Sequence, residues 1–126
     1  MPSNRLVKVL IFMDEVNEFN GPLMLVPGSH RGEAIKNDVD DATTSYPIRA
    51  LDNSQVASAV EVNGIVAPKG PAGSVIFANT NIIHGSASNV SPWDRVLISL
   101  TLNSVENKHQ GSSRPEWVVM NNFSPV

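Results

Sequence analysis

The sequence predicts an all-β fold with one short helix, in a single domain over residues 1–126. Three observations carry that expectation. Nine prolines and eight glycines break the chain at short intervals, the punctuation of a protein with many turns. The apolar runs between them are short and rich in β-branched residues, which suits strands better than helices. Apolar residues make up 41 % of the 126 and charged residues 17 %, a globular balance rather than a disordered one.

Taken in order, residues 5–16 (RLVKVLIFMDEV) read as a strand. Its imperfect alternation predicts burial on both faces along part of its length. Asn20-Gly21-Pro22 signals a turn, residues 23–26 a short strand, and Pro27-Gly28 a stop. Residues 29–45 are polar and read as a surface loop; their acids Asp38, Asp40 and Asp41 lack the Gly and distal Glu of a calcium loop. Residues 47–51 read as a short strand. Asn53 or Ser54 then serves as a helix N-cap, with Val56, Ala59 and Val60 at helical spacing before Gly64. Residues 68–73 (PKGPAG) form a tight turn into a strand over 74–79, and a last strand runs over 95–103. The tail from 106 to 126 is polar, with residues 117–120 as its apolar anchor.

Composition also removes function classes. A net charge of −3 argues against nucleic acid or an acidic membrane as partner. With zero cysteines there are no disulfides, thiolate nucleophiles, Cys-based zinc sites or iron–sulfur clusters. No apolar run approaches the roughly 18–20 residues that span a bilayer, and the start lacks the long apolar region of a secretory signal. A cytoplasmic protein acting on a small molecule is expected. Residues 70–74 lack the ending of a P-loop, and Ser86 lies in no Gly-x-Ser-x-Gly elbow.

Without cysteine, the three histidines are the most informative reactive side chains. His109, in a Gly/Ser/Gln-rich stretch, reads as exposed, and His30, closing Pro27-Gly28-Ser29-His30, as a turn residue bonded to nearby backbone. His84 follows an apolar strand and precedes Gly85, Ser86, Ala87 and Ser88, small neighbours that leave room around the imidazole. It reads either as a packed core residue or as a metal ligand. Arg95 opens an otherwise apolar strand, where a guanidinium needs an anionic partner or a path to solvent. A carboxylate taken bidentately is one use; an ion pair with Asp94 or Glu106 is the other. On adjacent antiparallel strands, His84 and Arg95 would suit an iron site with a 2-oxo acid cosubstrate.

Several segments carry a resemblance. They are residues 20–30 (NGPLMLVPGSH), residues 70–77 (GPAGSVIF), and His84-Gly85-Ser86 followed by Arg95. Together they resemble the phytanoyl-CoA dioxygenase family. Residues 103–107 and 114–117 bring the chain closest to its ectoine hydroxylase branch. The resemblance implies a double-stranded β-helix (jelly roll) and hydroxylation with Fe(II) and 2-oxoglutarate. It assigns His84 as the distal metal ligand, Arg95 as the partner of the far carboxylate of 2-oxoglutarate, and Ser86 as a polar support for that carboxylate. The Asn-Gly-Pro-Leu and Pro-Gly-Ser-His segments match structural turns.

The family's facial triad also needs His-x-Asp or His-x-Glu. None of His30, His84 and His109 has an acid two residues on. In the family that motif lies before the strand matched by residues 6–16. The expectation is therefore a C-terminal part with one metal ligand of three, inactive alone, and a homo-oligomer that covers the strand edges left open, with residues 6–13 the worst exposed. Ala78, Leu97 and Ser99 stand where ectoine hydroxylases carry aromatic side chains. The alternative reading is a non-catalytic β-sandwich or cupin-like module that binds a small carboxylate and ignores iron.

Overall fold

The computed structural model describes residues 6–31, 38–40, 48–104 and 106–107; the candidate His109 and the tail segments 108–126 lie outside them. Seven strands and one α-helix follow in order: β1 (Leu6–Phe12), β2 (Leu23–Leu25), β3 (Asp38–Asp40), β4 (Ile48–Ala50), α1 (Asn53–Asn63), β5 (Val75–Asn79), β6 (His84–Ser86) and β7 (Leu97–Asn103). The all-β reading with one short helix holds. Antiparallel pairing gives a three-stranded sheet ordered β5-β1-β7, a small sheet of β2 with β6, and the hairpin β3-β4. The three-stranded sheet and the β2-β6 pair that faces it are a partial double-stranded β-helix.

Strand β1 is the central strand, not an exposed edge. Leu10 pairs with Ile76 of β5 on one side and Ser99 of β7 on the other. The expectation that residues 6–13 would be worst exposed is thereby corrected, because both neighbours that satisfy this backbone lie within the chain. Val9 and Leu10 are adjacent and both buried, as the broken alternation predicted. Side chains of a strand alternate between faces, so Leu10 and Phe12 share the inner face. There Leu10 packs with Leu23 and Leu25 of β2, closed by Ile76 and Ile82. On the outer face, Val7, Val75, Phe77, Ile98, Leu100 and Leu102 are exposed, Phe77 to 72 %.

Three boundaries differ from the sequence reading. The N-cap of α1 is Asp52, whose carboxylate accepts from Ser54 N and Oγ at 3.4 and 2.8 Å; these bonds hold its pKa below the usual carboxylate value. An acid can cap as well as Asn or Ser, so the cap moved one residue upstream. Gly64 closes the helix as expected, and Val56, Ala59 and Val60 form its half-buried side. Part of the polar stretch is strand, since Asp38–Asp40 pairs with Ile48–Ala50. The last strand begins at Leu97 rather than residue 95, because Val96 N turns to the side chain of Asp14 at 2.8 Å.

The turn after β1 meets the loop before β7 at close range. Gly21 has φ 73°, and a Cβ there would lie 2.6 Å from Ala87 O. Gly64 has φ 70° but open space around it. Gly21→Ala therefore combines a left-handed backbone with a collision against main chain. It should cost well over about 1 kcal/mol in chemical denaturation, and more than Gly64→Ala measured in parallel.

Candidate functional site

His84 and Ser86 stand two apart on β6, so they share one face of the small sheet. Antiparallel pairing sets His84 opposite Leu25 and Ser86 opposite Leu23. Directly opposed residues project to the same side, and Leu23 and Leu25 pack against Leu10 of β1. Hence His84 and Ser86 lie on the face turned toward the larger sheet. Across from them, the β1–β7 ladder continues past the end of β7 through a bond from Met13 N to Val96 O at 2.9 Å. Arg95 thus keeps the parity of Leu97, Ser99 and Thr101, the inner face of β7 opposite Phe12, Leu10 and Lys8.

His84 and Arg95 do not sit on adjacent strands. The strand of His84 pairs with β2, and the strand that follows Arg95 pairs with β1. They belong to the two facing sheets, so the two sites address the space between sheets from opposite walls.

The imidazole of His84 is exposed, and its Nδ1 lies 2.8 Å from Ile82 O. A carbonyl only accepts, so Nδ1 is the donor of this bond, and in the neutral ring Nε2 is then the nitrogen with the lone pair. This is the tautomer a metal ligand requires, with the backbone as the partner that orients the ring. Among the described residues, no group of three His, Cys, Asp or Glu side chains could hold a metal ion. The residues present therefore fit one position of an iron site and leave the others to be supplied.

What places His84 is a buried hydroxyl that the sequence reading treated as part of a turn. Ser29 Oγ accepts from Ile83 N at 2.9 Å, and Val26 N donates to Ile83 O at 3.0 Å. Both main-chain groups of the residue before His84 are thus fixed by residues 26–29. The other candidate in that segment departs from expectation: His30 Nδ1 is buried without a hydrogen-bond partner among the described residues.

Arg95 is half-buried, and its Nε donates to Asn20 O at 3.1 Å. Neither Asp94 nor Glu106 pairs with it; among the described residues the ion pair is Lys69 with Glu18, at 3.6 Å on the surface. With Nε held by a neutral carbonyl, no carboxylate among the described residues pairs with the two Nη groups, a donor fork suited to a carboxylate. Asn20 is the residue that sequence reasoning missed here. Its signal was an amide directly before Gly-Pro in a turn bounded by apolar strands.

Ser29→Ala should leave Ile83 N–H unpaired in the core. A loss of about 1–3 kcal/mol follows in urea unfolding, with the backbone amide of Ile83 losing its hydrogen-exchange protection.

Known proteins resemble this chain in sequence and in fold. The family model for phytanoyl-CoA dioxygenase (PhyH) matches residues 1–97. The ectoine dioxygenase of Bordetella parapertussis is 37 % identical over 129 residues, covering 94 % of this chain and 42 % of that protein. That of Sphingopyxis alaskensis is 33 % identical and covers all of this chain and 44 % of its own length. The crystal structure of EctD from S. alaskensis with bound Fe superposes with TM-score 0.77 at 31 % identity, over 100 % of this chain and 42 % of that one. The same enzyme with 2-oxoglutarate and 5-hydroxyectoine gives 0.76 at 32 %. The chain spans under half the length of the curated relatives it matches. By its sequence and its paired sheets, the chain belongs to the phytanoyl-CoA dioxygenase family.

Proposed function

We propose that this chain forms the distal half of an Fe(II)/2-oxoglutarate dioxygenase site that hydroxylates a small organic substrate. One observation carries the reading. His84 stands on β6 with Nδ1 held by Ile82 O, and Arg95, with no carboxylate partner among the described residues, lies in the loop that leads into β7 of the facing sheet. Arg95 takes the far carboxylate of 2-oxoglutarate end-on through its two Nη groups, and Ser86, on the same face as His84, supports the cosubstrate. The bond from Nδ1 to Ile82 O holds the imidazole so that Nε2 meets the metal. Bound iron supplies the activation of O₂, with one oxygen atom passing to the substrate and the other to the succinate formed as 2-oxoglutarate loses CO₂. The remaining two ligands come from a His-x-Asp segment outside these residues, and the chain alone is inactive.

Iron affinity needs all three ligands. Anaerobic titration of the chain with Fe(II) and 2-oxoglutarate should therefore give no visible charge-transfer band, and a band at stoichiometric iron would refute the claim that the site is incomplete. In a protein in which a His-x-Asp segment precedes this chain, the band should form, and His84→Ala should remove it. Without iron, Arg95→Lys should weaken 2-oxoglutarate binding about tenfold, because an ammonium is a point charge without the planar fork. Binding unaffected by that exchange would argue against Arg95 as the clamp.

Among the described residues no three-ligand group is present, which also allows a second reading, a carboxylate-binding module with no iron chemistry. It predicts that no preceding segment confers the band while Arg95 still binds the dicarboxylate. We also propose that the isolated chain self-associates, since among the described residues β7 pairs only with β1 and its outer face is apolar. Such an edge and face invite a second copy, and light scattering at micromolar concentration should show at least a dimer. A stable monomer would overturn this. No described helix is long and apolar enough to cross a membrane, and the reading places the protein in the cytoplasm.

A further inference from the structure

We infer that Asn20 is the positioning residue of the Arg95 clamp. Its buried amide fastens the turn after β1 to the loop before β7, and its own carbonyl then holds the guanidinium by Nε. The inference rests on the reading of Arg95 given above and goes one residue beyond it.

Asn20 is 0 % exposed, an unusual place for an amide unless its hydrogen bonds are made. They are made. Oδ1 accepts from Asn17 N at 2.9 Å, while Nδ2 donates to Glu15 O at 2.8 Å and to Asp94 O at 3.3 Å. The first two close the turn on itself, with Asn17 Oδ1 accepting from Asn20 N at 3.2 Å. The third reaches across 74 residues to the main chain beside Arg95. From the same residue, the carbonyl oxygen accepts Arg95 Nε at 3.1 Å. One residue thus fixes both the backbone that carries the arginine and the side chain itself.

Two further contacts keep these segments in register. Phe19 packs on Trp93 with ring centroids 6.3 Å apart and planes tilted by 50°. Gly21 lies so close to Ala87 that no side chain fits between. On the other side of Arg95, Asp14 accepts from Val96 N. The acceptor chosen for Nε matters as much as its position. A carboxylate there would neutralise the guanidinium, whereas a carbonyl orders it and leaves the charge for an incoming anion. Holding a long, flexible side chain in its bound rotamer before the ligand arrives removes part of the ordering cost of binding.

The test uses the ¹⁵N-labelled chain titrated with 2-oxoglutarate in the absence of iron. In the unsubstituted chain the Arg95 Nε–Hε resonance should be resolved and slow to exchange; rapid exchange would overturn the inference without any variant. Asn20→Ala should weaken 2-oxoglutarate binding about tenfold, the effect of removing a buried hydrogen-bonded anchor, and should collapse the Nε–Hε resonance. Asn20→Asp, which keeps the acceptor and loses both donors, should do the same if the alanine variant does not fold. A double-mutant cycle separates positioning from general loosening. In the Arg95→Lys background, Asn20→Ala should change affinity less than twofold. An equal loss in both backgrounds, or no loss in the first, would show that Asn20 does not act through Arg95. If Arg95→Lys alone binds 2-oxoglutarate as well as the unsubstituted chain, the clamp reading fails whatever Asn20 does.

Discussion

The arrangement depends on β1 being paired on both edges while its inner face carries a leucine against the second sheet. Leu10 faces Ile76 and Ser99 along the ladders and packs on Leu23 and Leu25 across the gap. A shift of register by one residue would turn Leu10 outward and bring Val9 inward. The parity of Arg95 follows from that register. The same cluster fixes the inner face of β2, and the ladder from β2 to β6 then sets the parity of His84 and Ser86. A few apolar contacts thereby decide which polar groups share one interior.

Several polar side chains near this core bind main chain, although His30 Nδ1 finds no partner among the described residues. Ser29 satisfies Ile83 N, Asn20 satisfies three main-chain groups, and Asp14 satisfies Val96 N. The bonds to Ile83 N, Asp94 O and Val96 N each reach the residue next to a candidate site residue, His84 or Arg95. The strands supply the direction of those side chains, but the turns supply their exact start. This division explains why turn residues here constrain the site although none of them would touch a substrate.

Much of this was legible from residue order. The apolar runs marked β1, β2, β5 and β7, and Gly64 marked the end of α1 within the limits of cap rules. The motif residues also named His84, Ser86 and Arg95 before any geometry was known. What was not legible was pairing. Nothing local in residues 6–13 says that both of their neighbours lie more than 60 positions downstream, so the run looked like an exposed edge. For the same reason His84 and Arg95 looked like neighbours on one sheet. Their segments are close in sequence, yet the chain crosses from the small sheet to the large one between Ser86 and Leu97. The roles of Asn20 and Ser29 escaped because a turn signature fixes local backbone conformation and carries no information on a partner 54 or 74 residues away.

The topology also constrains how the iron site can be completed. Strand β6 has β2 on one side, and β2 is in turn bridged to Val66 through Leu25. Among the described residues, the other edge of β6 pairs with nothing. A segment bringing further ligands to His84 Nε2 must reach the inner face, where Leu23 and Leu25 already fill the side toward β2. The open edge of β6 is the remaining approach. A strand paired there would satisfy the unpaired main-chain groups of an edge and project every second side chain onto the face that His84 and Ser86 share. A His-x-Asp motif places its two ligands two residues apart, which is that spacing. Closing the sheet and completing the metal site would then be one structural event, and it would cover the exposed imidazole of His84.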